Sequence, residues 1–142
     1  MNVFKRIFSG KKKEPTGCNV LSVEDSDIDH RLIENALIKS GYTVFWADNS
    51  EKGLEILGKE KIDLILLDCG LPGMSGVAFC KKLKENETLS RIPVIFLTSD
   101  DTPKNIIDCY EIGADNYLMK PISPRTLVAQ VAMVLKEKTA EN

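Results

Sequence analysis

From Asn19 onward the chain alternates short β-rich apolar runs with longer segments of helical period, and no other feature narrows its fold so far. The runs occupy 20–23, 43–46, 64–67, 94–97 and 117–119. Such alternation marks βαβ units and a parallel sheet. The runs at 64–67 and 94–97 are apolar without a polar face, as strands covered by helices on both sides must be, so they are predicted to be central. Between the runs, Leu32, Ile33, Ala36 and Leu37 share one helical stripe, as do Leu54 with Leu57, Val77 with Cys80 and Leu83, and Leu127 with Val131, Val134 and Leu135. Ser26 or Asp27, Ser75 and Ser123 stand where the first, third and fifth helices need caps, and Gly41 and Gly113 where helix ends want a left-handed residue. Because crossovers are right-handed, the expected fold is α/β: (βα)5, a doubly wound five-stranded parallel sheet ordered 2-1-3-4-5.

With 142 residues, 43% of them hydrophobic, the chain has material for one core. Its expected division is a basic amphipathic extension (1–17), a folded domain (18–138) and a short tail (139–142), with the fifth helix ending near Lys138 and no attached output domain. Residues 1–14 hold five basic residues against one acidic, a net of +4, which leaves −6 on residues 15–142. An acidic body lacks the basic stripe that gripping nucleic acid requires, so no direct nucleic-acid binding is expected. The four cysteines, Cys18, Cys69, Cys80 and Cys109, form no CxxC pair, and the single histidine, His30, leaves neither a His-based metal cluster nor a Ser/His/Asp triad. No run approaches the roughly 20 apolar residues of a membrane span, and no secretory signal is visible, so a cytoplasmic protein is expected.

In open α/β sheets ligands gather beyond the carboxyl ends of the strands. There the sequence places Glu24-Asp25, Asp68, Thr98-Ser99 and Lys120-Pro121. Each acid alone is better read as a helix cap, but matching positions at successive strand ends argue for a site. Three mutually repelling carboxylates find relief in a hard divalent cation, of which Mg2+ is the commonest inside cells. Beside it and Lys120, Asp68 is suited to accept a phosphoryl group without a histidine base.

Over residues 18–138 these features resemble the CheY-like, flavodoxin-like receiver domain of response regulators in two-component signalling, in its single-domain form. Glu24 and Asp25 match the family's acidic pair, Asp68 its phosphorylated aspartate, Thr98 its hydroxyl, and Lys120-Pro121 its lysine with a cis-prolyl bond. Leu71-Pro72-Gly73-Met74-Ser75-Gly76 resembles the loop after the acceptor, and Tyr117 takes the place of the switch aromatic. The resemblance implies Mg2+ held by Asp25, Asp68 and the Gly70 carbonyl, with Glu24 acting through water. Thr98 and Lys120 would then hold the phosphoryl oxygens. Gly70, Ser99 and Asp100 flank this core, where the family tunes phosphoryl lifetime.

The resemblance further implies a phosphoacceptor rather than a turnover enzyme. A sensor histidine kinase or histidine phosphotransfer protein would be the donor and an unidentified protein the downstream target. A phosphorelay intermediate and a phosphorylation-independent docking module are the alternatives. Other phosphate chemistries lack their residues: Asp68-Cys69-Gly70 has no second acid for a haloacid-dehalogenase-type phosphatase, GxxxxGK[ST] is absent, and Glu24-Asp25 would repel a flavin phosphate. In the extension, Val3, Phe4, Ile7 and Phe8 share a helical face beside Lys5 and Arg6, with Lys11, Lys12 and Lys13 beyond. Weak contact of residues 1–14 with the inner membrane surface fits that pattern, as does a disordered tail or a helix docked on protein. All four cysteines read as packing residues, and His30, among Asp29, Arg31 and Glu34, as a solvated side chain without a role.

Overall fold

Strand and helix alternate along the computed structural model, which describes residues 17–141. The strands are β1 (Asn19–Val23), β2 (Thr43–Ala47), β3 (Leu64–Leu67), β4 (Val94–Thr98) and β5 (Asn116–Met119). The helices are α1 (Asp27–Lys39), α2 (Ser50–Lys59), α3 (Gly76–Glu85), α4 (Pro103–Glu111) and α5 (Pro124–Glu141), and a 3-10 turn, Leu89–Arg91, leads into β4. All pairings are parallel and the order is β2-β1-β3-β4-β5, as the sequence pattern predicts. The basic segment 1–14 and its membrane contact lie outside the described residues.

Strand side chains alternate between faces, and both faces are covered. Leu21, Val23, Ile65, Leu67 and Phe96 pack in one core with Phe79 and Leu83 of α3 and Cys109 of α4. Val20, Leu64, Leu66, Ile95 and Leu97 pack in the other with Ile33 and Leu37 of α1 and Leu127 and Val131 of α5. Each fully buried Leu, Ile or Val contributes about 1.5–3 kcal/mol to this double-sided burial. It fixes β1, β3 and β4 so rigidly that their carboxyl ends can serve as a platform.

Caps set where each helix leaves that platform. Ser26 Oγ accepts from Asp29 N, Ser75 Oγ from Ala78 N and Ser123 Oγ from Thr126 N; Asn49 and Thr102, not singled out from sequence, do the same for α2 and α4. Gly41 and Gly113 have φ of 94° and 109° just past α1 and α4. Gly76 opens α3 for a different reason: a Cβ there would lie 2.2 Å from the Asp68 carbonyl oxygen, so only glycine lets the helix start against the backbone of that aspartate.

Two expectations need correction. Helix α5 continues to Glu141 rather than ending near Lys138. His30 is not solvated: it is 5% exposed, its ring stacks on Trp46 with centroids 4.1 Å apart and planes 11° from parallel, and Nε2 lies 3.0 Å from Glu34 Oε2. The physical reason is that His30 stands three residues before Ile33 and seven before Leu37. It therefore shares their inward stripe, while the indole on edge strand β2 covers the ring.

Candidate functional site

Strand β1 delivers Glu24 and Asp25, β3 delivers Asp68, β4 ends in Thr98, and Lys120 follows β5. Backbone bonds lock these ends in register: Glu24 N donates to the Ala47 carbonyl, Asp68 N to that of Val23, and Lys120 N to that of Thr98. Carboxylate oxygens of Glu24, Asp25 and Asp68 come within 4.8 Å of one another. Glu24 is 1% exposed and Asp68 8%, whereas Asp25 is open to solvent. The Lys120-Pro121 bond is cis.

Among the described residues one ammonium is paired with this acidic group. Lys120 Nζ lies 2.8 Å from Glu24 Oε2, 2.9 Å from Asp29 Oδ2 and 3.2 Å from Asp68 Oδ2. Asp68 Oδ1 accepts from Gly70 N at 3.0 Å, Glu24 Oε1 accepts from Ser26 N at 3.0 Å, and the Glu24 carbonyl accepts from Trp46 Nε1 at 2.7 Å. Burial pushes the Glu24 carboxyl up to about 7, against the pull of Lys120 and Ser26 N and with the charge of Asp68 adding to the rise. Burial also works against the Lys120 ammonium, but its bonds to Glu24 and Asp29 and the charges of Glu24 and Asp68 outweigh that and hold its pKa above the usual lysine value. Three carboxylates share this ammonium and Asp25 lies beside them, which among the described residues leaves the pocket short of positive charge. Clustered carboxylate oxygens are the hard donor set that Mg2+ takes, so the residues present fit that ion.

On the other side of Asp68 a cavity of about 420 Å³ is lined by Asp68, Cys69, Gly70, Thr98, Ser99 and Asn105. Thr98 Oγ1 accepts from Asp100 N at 3.2 Å, and the Asp100 carbonyl accepts from the Tyr117 hydroxyl. Asn105 Nδ2 donates to that hydroxyl at 3.1 Å and points also at Cys69 Sγ, 3.8 Å away. Thr98 and Tyr117 are thus joined through a single residue, Asp100. A larger cavity of about 660 Å³ lies at the opposite end of the strands, where its acid, Asp63, is engaged by Asn19 N at 2.7 Å.

Of the residues that the sequence assigned to the site, Glu24, Asp25, Asp68, Thr98 and Lys120 lie at or just past the carboxyl ends of β1, β3, β4 and β5, Gly70 follows Asp68 by two residues, and Tyr117 lies within β5. Asp29, Trp46 and Asn105 were missed. Asp29 lies in the first turn of α1 together with Asp27, and acids there complement the helix dipole. Nothing in the sequence separates the one that reaches Lys120 from the one that does not.

Residues 20–132 match the family model described as the response regulator receiver domain. The chain is 40% identical over 120 residues to the phosphate regulon transcriptional regulatory protein PhoB of Pseudomonas aeruginosa, a match that covers 84% of this chain and 52% of that protein. It spans about half the length of the first curated relatives it matches. Among solved structures, the response regulator receiver domain protein (CheY-like) of Methanospirillum hungatei superposes with a TM-score of 0.82 at 28% identity, covering 88% of this chain and 98% of that one. The Mn(2+)-bound form of response regulator Rcp1 does so with a TM-score of 0.72 at 28% identity, covering 82% and 91%.

Proposed function

Because this chain belongs to the response regulator receiver domain family, whose members are phosphorylated by histidine kinases or phosphotransfer proteins, we propose that Asp68 is its phosphoacceptor. The observation that carries this reading is the Lys120 ammonium 3.2 Å from Asp68 Oδ2, amid the carboxylates that close β1 and β3. An Asp68 oxygen attacks phosphorus as the bond to the phosphohistidine nitrogen breaks, and the negative charge of the transferred group then needs partners. Lys120 supplies one and the Thr98 hydroxyl, facing the same cavity as Asp68, supplies another. Asp25, Asp68 and the Gly70 carbonyl would hold Mg2+, with Glu24 acting through water; the metal-bound form of Rcp1 supports such a site. When bound, the ion neutralises the acids and the phosphoryl oxygens. Transfer and later hydrolysis are events on one side chain of the protein itself, not turnover of a substrate.

The phosphorylated form then signals by binding another protein. As Thr98 moves toward the phosphoryl group it draws Asp100, to which the Tyr117 hydroxyl is bonded, and the freed ring turns inward. Ile107, Tyr110 and Met119, all exposed, put apolar surface on the α4–β5 side where that change emerges. The −6 charge of residues 15–142 favours protein over nucleic acid as the partner of this domain. Residues 1–14, at +4, support weak peripheral contact of a cytoplasmic protein with an anionic membrane surface. Among the described residues no helix is long and apolar enough to cross a membrane.

The test is intact-mass measurement after incubation with acetyl phosphate, with and without Mg2+, for wild type and Asp68→Asn. Incorporation of one phosphoryl group only in wild type with Mg2+ is expected. Equal incorporation in the variant would overturn the assignment.

A further inference from the structure

The phosphoacceptor chemistry uses no sulfur, yet the loop after Asp68 brings two thiols together. Cys69 Sγ lies 3.5 Å from Cys109 Sγ, across 40 residues of sequence. Their surroundings differ in a way that assigns them different roles. Cys109 is fully buried in the inner face of α4, while Cys69 is partly exposed and lines the same cavity as Asp68 and Thr98. A small oxidant that enters that cavity meets Cys69 first and finds Cys109 directly behind it.

We propose that Cys69 and Cys109 are a redox-active pair that hydrogen peroxide converts into a disulfide, tying the loop after the phosphoacceptor to α4. In the first step Cys69 sulfur attacks one peroxide oxygen, the O–O bond breaks, and the thiol proton leaves with the departing oxygen as water, giving a sulfenic acid. In the second, Cys109 sulfur attacks Cys69 sulfur, and the displaced hydroxide leaves as water with the Cys109 proton. Two electrons pass from sulfur to peroxide. A disulfide needs sulfurs about 2.05 Å apart, so the pair closes by about 1.5 Å, a movement within reach of side-chain rotation and a small shift of α4. Because the fold already holds the two sulfurs together across 40 residues, linking them costs little further chain entropy. Burial raises both thiols above the usual cysteine value, Cys109 to about 12, so little thiolate is present at rest and oxidation is slow until peroxide accumulates.

The consequence follows from what Cys69 touches. Asn105, one turn of α4 before Cys109, bonds the Tyr117 hydroxyl and points at Cys69 Sγ. A crosslink at Cys109 fixes α4 against β3 and removes the freedom that Asn105 and Tyr117 need to rearrange. Oxidation should therefore leave Asp68 able to take up phosphate but prevent the change from reaching the α4–β5 surface. This second consequence rests on the phosphoacceptor reading, whereas the crosslink itself does not.

The experiment uses the full chain, reduced, freed of reductant and exposed to hydrogen peroxide with no phosphate donor present. Intact mass should fall by two hydrogen atoms, and fragmentation of the wild-type peptides should show a Cys69–Cys109 linkage. The mass loss should persist in Cys80→Ser and Cys18→Ser and vanish in Cys69→Ser. A linkage through Cys80 or Cys18, or oxygen addition without any linkage, would overturn the proposal, and the wild-type fragmentation decides this even if a variant fails to fold. With beryllofluoride, amide exchange across residues 98–121 should change in the reduced protein, not in the oxidised one, and change again after dithiothreitol. A linked protein with an undiminished response would overturn the regulatory role alone.

Discussion

Replacing Asp29 by Asn should make the site easier to load. Lys120 Nζ is 2.9 Å from Asp29 Oδ2, and to reach a phosphoryl oxygen on Asp68 it must loosen that contact. Coulomb's law at this distance gives a gross attraction of about 6 kcal/mol at an effective dielectric of about 20. Much of that is offset, because both groups lose hydration in pairing and because Glu24 and Asp68 still attract the ammonium in the variant. With Lys120 15% and Asp29 27% exposed, the pair is only partly buried, and about 1 kcal/mol is the net difference expected. That corresponds to about a fivefold tighter binding of beryllofluoride, since about 1.4 kcal/mol is tenfold. Trp46 provides the assay: it is the only tryptophan, and its indole N–H donates to the Glu24 carbonyl at 2.7 Å, so its fluorescence reports the pocket. Asp29 also sits in the first turn of α1, where losing its charge costs about 0.3–1 kcal/mol of stability, so thermal unfolding should show only a small drop. Unchanged or weaker beryllofluoride binding in the variant would refute the reasoning and make Asp29 a residue that positions Lys120 rather than one that competes for it.

Gly76→Ala should destabilise the fold by about 2 kcal/mol or more, read as a lower urea midpoint, because its Cβ would meet the Asp68 carbonyl oxygen at 2.2 Å and no flexible side chain is there to yield. Glu24, raised by burial to about 7, opposes folding when ionised, so the ion-free protein should gain stability as pH falls from about 7 toward the ordinary value near 4.5. Over the same window protonation should weaken Mg2+ binding, and urea unfolding for the first trend and titration calorimetry for the second should find both flattened in Glu24→Gln. Thr98→Ala should still incorporate phosphate at Asp68 while the beryllofluoride-induced amide-exchange change across residues 98–121 shrinks, because Asp100 N loses the Oγ1 it now bonds. Full-length protein should sediment with anionic vesicles at low salt and not at high salt, and a chain starting at Glu14 should stay in the supernatant at both.

The fold was legible because burial on two faces leaves a mark that composition alone does not: Leu64–Leu67 is buried at every position, and a strand of that kind has few architectures open to it. The acidic pair, Asp68, Thr98 and Lys120 were legible for a related reason, since each lies at or just past a strand end and strand ends converge once the order is known. What escaped was carried on helices. Whether Asp27 or Asp29 reaches Lys120 depends on how α1 crosses the sheet, which one sequence does not disclose. His30 had polar neighbours on both sides, and that local context hid a position three and seven residues from the buried Ile33 and Leu37. The approach of Cys69 to Cys109 likewise needs the packing of α4 on β3, which no spacing between the two residues encodes.

Asp68 stands between two networks, one at each carboxylate oxygen. Oδ2 belongs to the charged side, with Lys120, Glu24 and Asp29, where the energetics of taking up a dianion are decided. Oδ1 faces Gly70 N and the neighbouring cavity, where Thr98, Asp100, Asn105 and Tyr117 form a chain of neutral hydrogen bonds leading to α4 and β5. The two sides meet again at the backbone bond from Lys120 N to the Thr98 carbonyl. Charge changes on the first side should therefore alter how readily the acceptor loads, while substitutions on the second should alter what loading does to the surface. Combining Asp29→Asn with Thr98→Ala puts that division to a sharper test than either alone, because independent networks give additive effects on beryllofluoride affinity and coupled ones do not.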